Sequence, residues 1–133
     1  MKSKKTLEEI RKIFENDRFA TENGAVIDEV GEKRAVCSLS LTSSHRNAMG
    51  AVMGGVYFML ADFAFAVAAN HDRFGCVSLH SDVSFLTPAK GERLIAEAFC
   101  IKEGKTTACY RVDVKDDLGN LCAIVNVTGY HLN

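Results

Sequence analysis

Val56-Tyr57-Phe58-Met59-Leu60-Ala61-Asp62-Phe63-Ala64-Phe65-Ala66-Val67-Ala68-Ala69 is the run of residues on which the architecture turns. All of it except Asp62 is apolar or aromatic, it is too long for an average strand, and it shows none of a strand's alternation. The reading is a buried helix over 56–69, ended by Asn70. It is shorter than the roughly 18–20 residues a membrane span requires, and it carries an acid near its middle. A helix that is hydrophobic all round must be covered on all sides. One curved sheet covers only part of it, so the pattern predicts that a second copy of the chain supplies the remaining cover and that the protein is at least a dimer.

Downstream lie four strand-like runs, 77–86, 93–101, 106–115 and 121–131, separated by Thr87-Pro88-Ala89-Lys90-Gly91, Lys102-Glu103-Gly104-Lys105 and Asp116-Asp117-Leu118-Gly119-Asn120. Linkers this short, each holding a glycine, predict hairpins in an antiparallel meander. In the first run Val77, Leu79, Val83 and Phe85 share one face and Ser78, His80, Asp82 and Ser84 the other, which predicts a core face and a wetter face. Upstream, Ala35, Cys37, Leu39 and Leu41 alternate with polar residues as a half-buried strand, turned back at Gly31-Glu32 from a strand over 25–30. Leu7, Ile10, Ile13 and Phe14 sit at helical spacing, and Thr6 with Glu9 forms a capping-box pattern, giving a short N-terminal helix over 6–17. The fold class is α+β: an antiparallel sheet of five or six strands wrapped round one long central helix, as a single domain over 1–133.

Composition excludes several functions. In 133 residues, 16 Lys+Arg against 17 Asp+Glu leave a net charge of −1, with no basic footprint for nucleic acid. The opening Met-Lys-Ser-Lys-Lys-Thr-Leu-Glu-Glu-Ile lacks the apolar stretch of a secretory signal and points to the cytosol, with no membrane partner. The 5 cysteines include no C-x-x-C pair and read as small buried hydrophobes in a reducing compartment. The 4 histidines match no zinc spacing, so no metal is expected.

Asp62 is the first candidate for chemistry. Its neighbours three and four positions away, Phe58, Met59, Phe65 and Ala66, cannot pair with a carboxylate, and perturbed acids of this kind concentrate at functional sites. Gly54 and Gly55 stand at the start of the helix, where free backbone N–H groups and the helix dipole favour a developing negative charge. That end is a candidate oxyanion hole. Eight residues separate Gly54 from Asp62, about 12 Å along the axis.

The stretch His45-Arg46-Asn47-Ala48-Met49-Gly50-Ala51-Val52-Met53-Gly54-Gly55, followed by Leu60-Ala61-Asp62, resembles the signature of the hotdog-fold acyl-CoA thioesterases, in the PaaI-like (phenylacetate-pathway) branch of the 4-hydroxybenzoyl-CoA thioesterase superfamily. The resemblance continues through Val77-Ser78, Phe85 to Gly91 and Glu103-Gly104-Lys105-Thr106. It implies a dimer, paired further into a dimer of dimers, with active sites at the dimer interface. By motif position it implies Asp62 as general base or nucleophile, the Gly54 amide on the thioester oxygen, Asn47 orienting substrate or water, and Ser78 holding that water from the partner subunit. No cofactor is implied, since coenzyme A enters as part of the acyl-CoA substrate.

One position departs from that pattern. Met53 stands where the family usually has His, and a thioether neither donates a hydrogen bond nor carries a proton. Tyr57, Phe58 and Phe85, with Met53 and Gly55, are the candidates to line an acyl pocket. Lys90, Lys102 and Lys105, in turns, are the candidate cations for the phosphates of coenzyme A. The expected function is hydrolysis of aryl- or medium-chain acyl-CoA. A hotdog hydratase and a non-catalytic acyl-CoA-binding dimer are the competing readings.

Overall fold

The computed structural model describes residues 4–132. Helix α1 (Leu7–Phe14) opens on the anticipated capping box, with the Glu9 N–H donating to Thr6 Oγ1 (3.1 Å) and the Thr6 N–H to Glu9 Oε1 (2.8 Å). It ends three residues before the spacing suggested, and a four-residue helix, α2 (Arg18–Thr21), follows that periodicity did not reveal. Strands β1 (Val26–Gly31) and β2 (Arg34–Ser40) form a hairpin whose turn residue Lys33 adopts φ 52°. The central helix α3 (Gly54–Asn70) starts two residues earlier than its apolar run. Strands β3 (Cys76–Phe85), β4 (Arg93–Glu103), β5 (Thr107–Asp116) and β6 (Leu121–His131) complete the chain.

All six strands form one antiparallel sheet in the order β1-β2-β4-β5-β6-β3. Only the β4-β5-β6 portion is the meander the short linkers predicted. β3 pairs with β6 (Ser78↔Gly129 to Phe85↔Ala123), while the edge of β4 intended for β3 is taken by β2 (Arg34↔Phe99 to Ser40↔Arg93). The segment after β3 cannot close a hairpin because the Leu86 and Thr87 N–H groups both donate to Cys122 O (2.8 and 3.3 Å), carrying the chain across the end of β6 before Pro88.

β3 is therefore an edge strand, and this corrects its expected core face. Leu79 and Phe85 are 63% and 59% exposed, and a bulge between Ser78 and His80 shifts the alternation. Three of the five cysteines, Cys37, Cys76 and Cys122, are buried as anticipated; Cys100 is half-buried and Cys109 exposed, and all are free thiols.

The core sits between α3 and the concave face of the sheet. The Phe65 ring meets Tyr110 edge-on at 5.2 Å, and Gly129 lets it approach, since a Cβ there would lie 3.2 Å from the ring. Each fully buried side chain such as Leu60 or Val67 contributes about 1.5–3 kcal/mol. On its other side α3 is covered from within the chain: Phe14 of α1 packs edge-on against Phe63 (6.4 Å), and α2 lies beside it. These two N-terminal helices cover part of the face of α3 that the sheet leaves open.

Candidate active site

The loop before α3 is built by its own polar side chains. Asn47 Oδ1 accepts from the Met49 and Ala51 N–H groups (2.9 and 3.1 Å), and the Asn47 N–H donates to Ala51 O (2.7 Å), closing a tight loop over 47–51. The Asn47 amide oxygen is thereby committed, leaving its NH₂ as the group able to face a ligand. His45 is a buried strut: its Nδ1 accepts from the Thr42 N–H (2.9 Å), so its Nε2 carries the hydrogen and donates to Asn23 O (2.7 Å). The Met53 N–H then donates to His45 O (3.0 Å), which delivers the chain to the helix start.

Met53 is the N-cap of α3 and supplies no side-chain cap bond. The N–H groups of Gly54 and Gly55 donate to no acceptor among the described residues. Two amides and the positive end of a 17-residue helix thus converge on open space. The two glycines differ, however. A Cβ on Gly54 would lie 3.2 Å from Phe85 Cζ, whereas one on Gly55 would meet nothing within 4 Å. Phe85 walls Gly54, and Gly55 is open.

That wall joins three of the candidate residues to an acid the sequence reading did not single out, Asp116. Phe85 meets Tyr57 edge-on (6.0 Å), Tyr57 Oη accepts from the Ala89 N–H (2.9 Å), and the Lys90 N–H donates to Asp116 Oδ2 (2.9 Å). Asp116 is buried and also accepts from the Leu118 and Asn120 N–H groups (3.0 Å each) and from Asn120 Nδ2 (2.9 Å). Burial raises its carboxyl pKa, but these hydrogen bonds outweigh burial and hold it well below the ordinary carboxylate range. Tyr57, expected in an acyl pocket, instead serves as a buried anchor for the segment after β3. The Asp-Asp-x-Gly-Asn run had registered only as a turn; an acid able to cap both its own turn and a neighbour was the missed signal.

Asp62 lies half-buried about two turns further along α3, in a cleft of ≈ 340 Å³ lined by Gly55, Phe58, Ala66, Asp17 and Phe19 among others. Gly55, Phe58, Asp62 and Ala66 recur at helical spacing and form the one stripe of α3 that neighbours leave partly open. No hydrogen bond or ion pair reaches the Asp62 carboxylate among the described residues. Burial, then the Asp17 carboxylate, push its pKa above the ordinary value, so it is an acid with unusual proton affinity in an apolar cleft. Asp17 was not foreseen, because a lone acid between two short helices reads as solvated. Arg18, the nearest cation on α2, is committed to Glu22.

The structure brings some candidates together and separates others. Asp62, Gly55 and Phe58 share the cleft; Gly54, Tyr57, Phe85 and Lys90 share the wall at the helix start. Ser78 lies outside the cleft on β3, exposed, with its Oγ 3.2 Å from Ser81 Oγ. Lys102 and Lys105 flank the β4–β5 turn, and β4 carries them about 33 Å from the Lys90 end at 3.3 Å per residue. Lys90 alone of the three lies in the segment that Tyr57 and Asp116 hold, through the Ala89 and Lys90 N–H groups.

A long helix in an antiparallel wrap, bearing a lone half-buried acid and a free glycine-rich amino end, defines a hotdog-fold hydrolase framework. Residues 49–123 match the family model of the thioesterase superfamily. Escherichia coli acyl-coenzyme A thioesterase PaaI is 32% identical over 113 residues, spanning 84% of this chain and 81% of its own. The solved structure of that protein, from the phenylacetic acid degradation operon, superposes with a TM-score of 0.87 over 96% of this chain and 97% of the other, at 26% identity. The TT0310 protein of Thermus thermophilus superposes at 0.81, with 31% identity, over 87% of this chain and 98% of its own. The chain belongs to the thioesterase superfamily, in its PaaI-like branch, and is a thioester hydrolase. No helix among the described residues is long and apolar enough to cross a membrane.

Proposed function

We propose that the protein hydrolyses aryl- or medium-chain acyl-CoA to the free acid and coenzyme A, with Asp62 as the general base. The observation that carries this reading is the unpaired Asp62 carboxylate in its apolar cleft, its pKa raised by burial and by Asp17. A base whose pKa moves up toward neutrality takes a proton from water more readily once substrate is held. Water attacks the thioester carbon and gives its proton to Asp62. The oxygen of the tetrahedral intermediate becomes negative and accepts from the free amides at the start of α3. The intermediate then collapses, the C–S bond breaks, and coenzyme A departs as thiolate. The Asn47 NH₂ and the Lys90 ammonium are assigned to the substrate and to the phosphates of coenzyme A. Ser78 is assigned to the attacking water.

Helix geometry supports a site shared between two copies. Gly54 and Asp62 on one α3 lie about 12 Å apart along the axis and about 80° apart around it, too far for one thioester carbon to touch both. β3 is one of the two edge strands of the sheet, with Leu79, Phe85 and Leu86 exposed on or beside it at 63%, 59% and 51%. An uncovered apolar edge is the natural seat of an antiparallel partner strand. Pairing two copies along β3 sets Asp62 of one against the helix amides of the other.

Free-thiol release from a panel of acyl-CoAs, read beside thermal shift with the same compounds and elution volume, tests the proposal. Thiol release by a dimer-sized or larger species is expected. Met53, half exposed at the start of α3 and unable to donate a hydrogen bond from its side chain, is what favours a binding protein instead; stabilisation by acyl-CoA without thiol release would establish that reading.

A further inference from the structure

A second and larger cavity, ≈ 610 Å³, lies at the opposite end of α3 and shares no lining residue with the Asp62 cleft. Its walls are tied together. Lys5 Nζ donates to His71 O and Asp72 O (3.3 Å each), placing a cation on the negative end of the helix. His71 Nε2 donates to Gly31 O (2.6 Å), joining that end to the β1–β2 turn. The N-terminal segment, the end of α3 and the first hairpin thus enclose a preformed space, within the size range of small-molecule sites.

The lining has a polarity. Ile10, Val30 and Phe74 supply apolar surface. Glu103 is exposed and pairs with Lys33 (3.6 Å), which offsets its repulsion of an anion. At the rim, Arg73 is exposed and makes no ion pair among the described residues.

We propose that this cavity binds an amphipathic carboxylate, an organic acid whose chain lies on Ile10, Val30 and Phe74 and whose carboxylate meets Arg73. Arg presents a fork that matches a carboxylate in two parallel hydrogen bonds, and the apolar wall supplies the affinity of the tail. The proposed hydrolysis releases acids of this class, so the cavity is placed to sense product; that link rests on the acyl-CoA reading, whereas the binding does not.

The test is a titration of the ¹⁵N-labelled full chain with sodium octanoate, and with 1-octanol as the uncharged probe. Octanoate is expected to move the amides of Gly31, Gly75 and His131. Arg73→Ala should weaken octanoate at least about fivefold, the order expected for one charge-assisted pair, and leave octanol unchanged. Ala69→Phe, which fills the cavity, should abolish both, and both variants should keep wild-type kcat. If Ala69→Phe fails to fold, the exposed Arg73→Ala decides alone. Octanoate shifts confined to Gly55 and Phe58, or equal octanoate affinity in Arg73→Ala, would overturn the proposal. Octanoate binding here by a chain that releases no thiol would refute only the hydrolysis reading.

Discussion

The two ends of α3 are finished in opposite ways. At the carboxyl end, buried Asn70 donates from Nδ2 to Ala66 O (3.0 Å) and Cys76 O (2.9 Å) and accepts at Oδ1 from the Gly75 and Cys76 N–H groups (3.0 and 2.9 Å), while Lys5 and His71 tie down what remains. At the amino end Met53 caps nothing, and the amides of Gly54 and Gly55 are left without acceptors. A helix whose carboxyl end is tied down by Asn70, Lys5 and His71, and whose first two amides lack acceptors, is closed at one end and open at the end to which the proposal assigns the thioester oxygen.

Opening the closed end should have the largest effect on stability. Asn70→Ala removes the side-chain partner of four backbone groups, two of those bonds buried, and should cost about 2–4 kcal/mol, seen as a Tm lowered by roughly 5–15 °C with kcat unchanged in the folded fraction. Loosening the wall at the open end comes next. Asp116→Asn keeps one acceptor oxygen and should cost about 1–3 kcal/mol while raising KM, because the segment pinned through Lys90 and Ala89 slackens. Its pH behaviour follows from the lowered carboxyl: the stabilisation is present above the ordinary carboxylate value of 3.8 and is lost in acid below it. Crowding the amides is milder: Gly54→Ala drives a methyl against Phe85 and should lower kcat about tenfold with little change in Tm. Asp17→Asn should have the smallest effect, lowering the acid limb of kcat/KM toward the unperturbed carboxylate by removing one neighbouring charge from Asp62.

The contrast also explains what was legible in the sequence. Local signals carried well: the capping box at Thr6, the apolar run of α3 and the single acid within it all stand where they were placed. Strand order did not carry, because the linker after β3 has hairpin length, and only the occupation of the β4 edge by β2 sends β3 to β6. Tyr57 and Phe85 read as candidates for an acyl pocket, and nothing in their spacing reveals an Ala89 amide or a glycine beneath the ring. Asp17 and Asp116 were invisible for one reason: an acid in a polar segment declares itself only when the fold sets it against Asp62 or beneath Lys90.

The central claim is that Asp62 is kept desolvated at a cost to stability because the chemistry needs it. A raised carboxyl pKa means that the folded state binds the proton more tightly than the unfolded one, so the ionised acid destabilises the fold above the ordinary 3.8 and ceases to do so in stronger acid. The measurement is acyl-CoA thiol release and Tm for Asp62→Asn beside the wild type at neutral pH. The expected result is a kcat lower by about 10²–10⁴ with a Tm higher than that of the wild type. Wild-type turnover in Asp62→Asn, or loss of turnover together with loss of the fold, would contradict it.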